Sequence, residues 1–145
     1  MTGIELWNRF VEENNLADCE YEAWAFGSDA DLLADLVVSG TKTATASAHS
    51  LYELENEPLP KAGAYSVILD SKENAVCVIR TTKVAVVPFN EVTAEHAYKE
   101  GEGDRSLGYW RKVHESFFAE CLREVGLEFS PDMKVVCEEF VVVYK

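Results

Sequence analysis

Two β-rich runs flank the polar turn DSKEN: AYSVIL at residues 64 to 69 and AVCVIRTTKVAVV at 75 to 87. Val, Ile and Thr suit a pleated, half-buried surface, and a short polar turn between two such runs closes a hairpin. The short run TATAS at 43 to 47 and the valine-rich terminus KVVCEEFVVVYK supply two more strands. Helical segments lie between these strands, but not in the strand-helix-strand alternation that builds a parallel sheet. The pattern therefore predicts an α+β chain whose strands close into a small β-barrel or strongly curved sheet, with flanking helices.

The helices announce themselves by apolar spacing and end signals. Ile4, Trp7, Phe10 and Val11 recur at three-to-four intervals after a Thr2/Glu5 capping box, which predicts a helix over 3 to 14 ended by Asn14 and Asn15. Ser28 with Asp31 reads as a second cap, followed by the stripe Leu32, Leu33, Leu36 and Val37 and a stop at Gly40. EVTAEHAYKE predicts a short helix, GEGD a loop, and Ser106 the cap of a long helix running to about Val125, with Gly126 after it. ELENEPLPKAG, with two prolines, reads as an exposed loop.

A length of 145 residues suits one domain, taken as 1–145 with residues 1–20 a helical N-terminal extension. The formal charge of −13 repels polyanions, so long DNA is not expected and any nucleic-acid role must rest on a local basic cleft. Cys19, Cys77, Cys121 and Cys137 are far apart with no CxxC or Cys/His pairing, so they read as reduced thiols rather than zinc ligands. No apolar run approaches the roughly 20 residues of a membrane-spanning helix, and the N-terminus lacks the order of a signal peptide. A soluble, cytoplasmic protein without a membrane partner is expected.

Lys42 stands just past a helix end in SGTKTATAS, where its charge would complement the helix dipole. A chemical role is the alternative, because Thr45 and Ser47 offer hydroxyls that a desolvated lysine amine could activate. In a regular strand Lys42 and Thr45 would point to opposite faces, so the pair requires a turn over 40 to 43, which Gly40 makes feasible. Glu100, Glu102 and Asp104 in EGEGDRS are either solvated charges near a helix start or, with glycines letting the backbone approach closely, carboxylates that pair with Lys42 across a cleft. Glu102 and Asp104 are too few to predict a metal site. Trp24, Phe26, Tyr109 and Trp110 are either core aromatics or platforms for a flat ring; Arg80, Lys83, Arg105 and Arg111 are either solvated charges or a local basic patch. His114, one turn after Trp110, reads as a hydrogen-bonded structural histidine.

The order of YEAWAFG, VVSGTKTATAS, GAYSVILD, EVTAEHAYKEGEGDRSLGYWRKVHESFF and a closing valine-rich strand resembles the ASCH domain family from about residue 20 onward. The resemblance implies a PUA-like small β-barrel with flanking helices whose cleft takes a nucleoside or short RNA. Some members are small amidohydrolases that remove an acyl group from N4-acetylcytidine with a lysine, a threonine and a glutamate. Their G-x-K-x-x-T matches Gly40, Lys42 and Thr45, and their glutamate after H-A-x-x-E matches Glu100. Read from the residues themselves, Trp24, Phe26 and Trp110 as ring platforms, Arg105 as a local positive charge, Ser47 as a hydroxyl and Gly40 as the turn are the candidate substrate-binding residues, and no metal or cofactor is expected. This chain is longer than those enzymes, adding an N-terminal helix and the EGEGDRS extension, and carries Ala46 and Ser47 where they are bulkier and more basic. Three functions remain open at this stage: an amidohydrolase for an acylated cytidine, an RNA-binding member with ribonuclease activity, and a reader without turnover. A homodimer is compatible with each.

Overall fold

The computed structural model describes residues 1–16 and 19–145. Among these residues five strands, β1 (Tyr21–Ala25), β2 (Ala44–Ala48), β3 (Tyr65–Leu69), β4 (Ala75–Pro88) and β5 (Lys134–Tyr144), form one sheet in the order β1-β3-β4-β5-β2. Among the described residues the α-helices are α1 (Gly3–Glu13), α2 (Ala30–Val38), α3 (His49–Leu54), α4 (Ala94–Glu100) and α5 (Leu107–Glu124). The predicted hairpin is β3 and β4. β4 then continues past it to pair antiparallel with the terminal strand, and the register shifts at Val78/Ile79 and Thr81/Lys83 mark where the ladder is irregular. Such irregularities raise the local twist, and the sheet curls into a half-barrel.

Three elements differ from the pattern expected of the sequence. YEAWA forms β1 and runs parallel to β3, so the sheet is mixed; its connection passes through two helices and β2, which local pattern does not reveal as a parallel pairing. Residues 49–54 fold as the unpredicted short helix α3, which takes Glu53 and Leu54 from the predicted loop. Ser28 does not cap α2: Asp29 occupies that position in a left-handed conformation without a side-chain cap bond, and the Asp31 carboxylate is engaged by Ser71 instead. Glu100 is the last residue of α4, at the end of the helix predicted over EVTAEHAYKE.

Three apolar clusters fasten helices to the sheet. Leu33, Ala34 and Val37 of α2 meet Ile68, Ile79 and Phe140. Trp110, Phe118 and Leu122 of α5 meet Phe89, Ala97 and Val135. On α1, Leu6, Trp7 and Phe10 pack on Val67 and Val78, with the Trp7 ring stacked on Tyr21 at 4.5 Å. Full burial of such a side chain stabilises by roughly 1.5–3 kcal/mol, so α1 is held by tertiary packing rather than by its own helix propensity. Among the described residues no helix is long and apolar enough to cross a membrane.

Candidate active site

Two chain turns bring the site together. At the end of α2, Gly40 adopts φ +84°, its N–H bonds the carbonyl of Val37, and the N–H groups of Thr41 and Lys42 bond that of Leu36. This is a Schellman ending, available because glycine carries no Cβ penalty in the left-handed region. The chain reverses over 40 to 43, and β2 begins only at Ala44. Lys42 and Thr45 thereby line the same cleft, as their pairing requires. At the end of α4, Gly101 has φ +73°, and a Cβ there would lie 2.4 Å from the carbonyl oxygen of Thr41. That contact, together with the bond from the Thr43 N–H to Lys99 O at 2.7 Å, locks the Glu100 turn against the Lys42 turn.

Lys42 and Glu100 are each 1 % exposed. Lys42 Nζ donates to Glu100 Oε1 at 3.1 Å, Glu102 Oε2 at 2.9 Å and the Glu100 carbonyl at 3.5 Å. These three acceptors match the three N–H bonds of an ammonium. The Phe26 ring covers it, its centroid 5.3 Å from Nζ. Glu100 Oε2 accepts from His96 Nε2 at 2.8 Å and from Trp110 Nε1 at 2.5 Å. His114 stacks on Trp110, centroids 4.2 Å apart, and holds its Nε2 3.6 Å from Glu100 Oε1. Its Nδ1 donates to the Trp110 carbonyl at 2.9 Å, which fixes the ring's direction.

Burial alone would push the Glu100 carboxyl up, but the Lys42 charge and the bonds from His114 and His96 outweigh it and hold the carboxyl well below the usual range. Burial opposes charge on His114 as well, and the bond and charge of Glu100 overcome this to raise it. Glu100, Glu102 and His114 also place one ligand atom each within 4.8 Å of one another, as a metal would need. Lys42 Nζ already bonds two of these three side chains, so the ammonium occupies the position between the carboxylates that a cation would take.

The cleft above this cluster encloses about 1220 Å³, beyond the roughly 300–1,000 Å³ of a drug-sized pocket. Trp24, Phe26, Thr45 and Ser47 line it. Ser47 Oγ is tied to the Tyr52 hydroxyl at 2.8 Å. The other three expected binding residues do not reach the cleft wall. Gly40 shapes the turn. Trp110 is buried beneath, holding Glu100. Arg105 lies over the Tyr98 ring at 3.6 Å and donates to the carbonyls of Tyr98 and Thr41, so it ties the loop to the turn rather than facing a ligand. Arg111 likewise donates to Asn90 O, and Asp104 caps Ser106.

A family model described as ASCH domain matches residues 22–144. The chain belongs to the ASCH domain family. The structure resembles the ASCH domain of Lactobacillus crispatus, with 30 % identity, 99 % of this chain and 94 % of that one covered, and a TM-score of 0.91. It is also similar to protein EF3133 of Enterococcus faecalis, at 41 % identity, with 98 % and 88 % of the two chains covered and a TM-score of 0.91. ZmASCH of Zymomonas mobilis shares the fold alone, at 16 % identity and a TM-score of 0.51 over 86 % of this chain and 70 % of that one. No curated protein matches the chain. The ASCH match begins at residue 22, yet the two closer structures cover almost the whole of this chain, so their likeness extends through α1.

Four residues of this ASCH site were passed over in the sequence or given no part in it: His96, His114, Tyr52 and Glu138. Their signals were present as the four-residue spacings His96–Glu100 and Trp110–His114, and as a charged residue inside the valine run of β5. Spacing along one helix cannot show that two helices converge on one carboxylate.

Proposed function

We propose that this ASCH protein is an amidohydrolase that removes the acyl group from an N4-acylated cytidine, with Lys42, Thr45 and Glu100 as the reacting set. The observation that carries the reading is Lys42 itself: a lysine 1 % exposed, seated on two carboxylates at the floor of a cleft that a threonine also lines. Burying such a cluster gains little stability compared with an apolar core, and Glu100 and His114, both shifted by their partners beside the cleft, are the kind of groups that mark a functional site.

In the proposed route Thr45 Oγ attacks the amide carbonyl, and Lys42 takes the hydroxyl proton and delivers it to the departing N4 amine. Water then cleaves the acyl-threonine ester along the same proton path, releasing the carboxylic acid. Lys42 can accept a proton only as the amine, so the reactive form of the site is the one that has released that proton to solvent, and the rate rises with pH. Glu100, clamped by His96 and Trp110, aims Nζ. Trp24 and Phe26 offer the cleft aromatic surface for the base.

The charge of the wall favours a nucleoside over RNA. Seven glutamates line the cleft, among them Glu22, Glu57, Glu120 and Glu138, against two lysines, Lys42 and Lys61. With Arg105 and Arg111 bonded elsewhere, the basic surface that a phosphate backbone needs is not assembled here. A neutral nucleoside escapes that repulsion.

The test is ultraviolet-monitored conversion of N4-acetylcytidine to cytidine by the wild type, Lys42→Ala, Thr45→Val and Ser47→Ala, with and without chelator. The expected result is turnover that the first two variants lose and Ser47→Ala keeps, indifferent to chelator. Loss in Ser47→Ala with activity in Thr45→Val would move the nucleophile to Ser47, and no turnover by saturated wild type would overturn the reading.

A further inference from the structure

β5 carries two adjacent glutamates within an apolar run, and they part company. Glu139 pairs with Lys99 at 3.0 Å and lies 3.8 Å from Lys83, whereas Glu138 lines the cleft. In the β2–β5 ladder Glu138 is directly opposite Thr45, and antiparallel partners hold their Cβ atoms about 4.5–5.5 Å apart. A half-buried carboxyl therefore stands beside the proposed nucleophile, outside the cluster of Lys42, Glu100, Glu102 and His114.

The groups that face Glu138 do not neutralise it. Among the described residues they are Glu22 from β1, Tyr52 from α3 and the Thr81 hydroxyl from β4, with no lysine or arginine among them. Burial pushes the Glu138 carboxyl up to about 7, with the Thr81 hydroxyl opposing this and the Glu22 charge adding to it. A protonated carboxyl offers one O–H donor beside one carbonyl acceptor; an ionised one only accepts.

We propose that Glu138 is a recognition residue of the cleft, whose carboxylic acid pairs side by side with a ligand edge presenting a ring-nitrogen lone pair next to an N–H. N4-acylated cytidine presents that edge as N3 and N4–H, so the inference deepens the nucleoside reading above and rests on it. The acid donates its O–H to N3 and accepts from N4–H, which sets the acyl carbonyl on N4 beside Thr45. Ionisation replaces the donated bond with a negative charge against the N3 lone pair, and binding weakens.

The experiment is calorimetric titration of cytidine, the proposed product, into the wild type, Glu138→Gln and Glu138→Leu across neutral pH, beside steady-state kinetics on N4-acetylcytidine. Glutamine keeps a donor and an acceptor without a titratable proton. The wild-type Kd should rise about tenfold from about pH 6 to about pH 8, following loss of one proton. Glu138→Gln should bind with the wild type's low-pH affinity and no such slope, and Glu138→Leu should bind weakly at every pH. In kinetics the slope should appear in KM, while the rising limb of kcat is unmoved by Glu138→Gln.

A flat wild-type Kd, a slope that survives in Glu138→Gln, or no cytidine binding at low pH would overturn the inference. Turnover with a pH-independent KM would sink it while leaving the amidohydrolase reading intact. A slope abolished by Glu138→Gln in a protein that never deacylates N4-acetylcytidine would uphold Glu138 and sink the amidohydrolase.

Discussion

Lys42→Met removes the one lysine at the Glu100 carboxylate while nearly preserving side-chain volume. Breaking a buried pair by deleting one partner costs about 3–5 kcal/mol, because the remaining charge is left without compensation. Glu100 retains the His96 and Trp110 bonds on Oε2, and His114 stands 3.6 Å from Oε1. The expected loss is therefore at the lower end, about 3 kcal/mol, which for a domain of this size lowers Tm by roughly 10 °C. Lys42→Met combined with Glu100→Gln leaves no buried carboxylate at that position and should recover about 2 kcal/mol relative to the sum of the single losses.

The same variant should become sensitive to pH through His114. Its ionisation is raised in the fold, so its contribution is fully present below its unfolded value of about 6.5 and is lost as pH rises through the raised one. With Lys42 gone, His114⁺ is the cation left against Glu100, and stability should fall more steeply from about pH 6 to about pH 8 than in the wild type. Urea unfolding of both singles and the double variant at these two pH values measures every leg. A Lys42→Met loss under about 1 kcal/mol, or a double variant equal to the sum of the singles, would refute the coupling inferred from the geometry.

Gly101→Ala should destabilise by more than about 2 kcal/mol and displace Glu100, since it joins left-handed strain to a Cβ meeting Thr41 O; thermal unfolding beside activity checks it, and a wild-type Tm would show that the two turns are not locked. Acid should act through Glu100. Its carboxyl is depressed, so its stabilisation is present above the unfolded value of about 4.3 and disappears as pH falls through the lowered folded one. Acid titration of Glu100→Gln by circular dichroism should accordingly show a shallower decline than the wild type, and identical curves would count against this account.

Much of the architecture was legible because its signals are local. The β3–β4 hairpin, the α1 capping box, the Ser106 cap and the glycine endings of α2 and α5 each depend on a few neighbouring residues. The parallel pairing of β1 with β3 was not legible, since nothing near YEAWA specifies a partner more than forty residues away. The α3 turn was equally hidden: HSLYEL has too few residues to display a period.

The site divides in the same way. Sequence alone determined the chemical candidates: Lys42 after a glycine turn, Thr45 three residues on, and a glutamate closing HAYKE. Tertiary structure decided which of them meet. Gly101 packing on the Thr41 carbonyl brings α4 to the α2 turn, and α5 adds Trp110 and His114 to the same carboxylate. It also took Arg105 and Trp110 off the cleft wall and set Glu138 opposite Thr45. The physical reason is range: propensity and capping act within a turn or two, whereas desolvation and ion pairing depend on which surfaces the whole fold presses together.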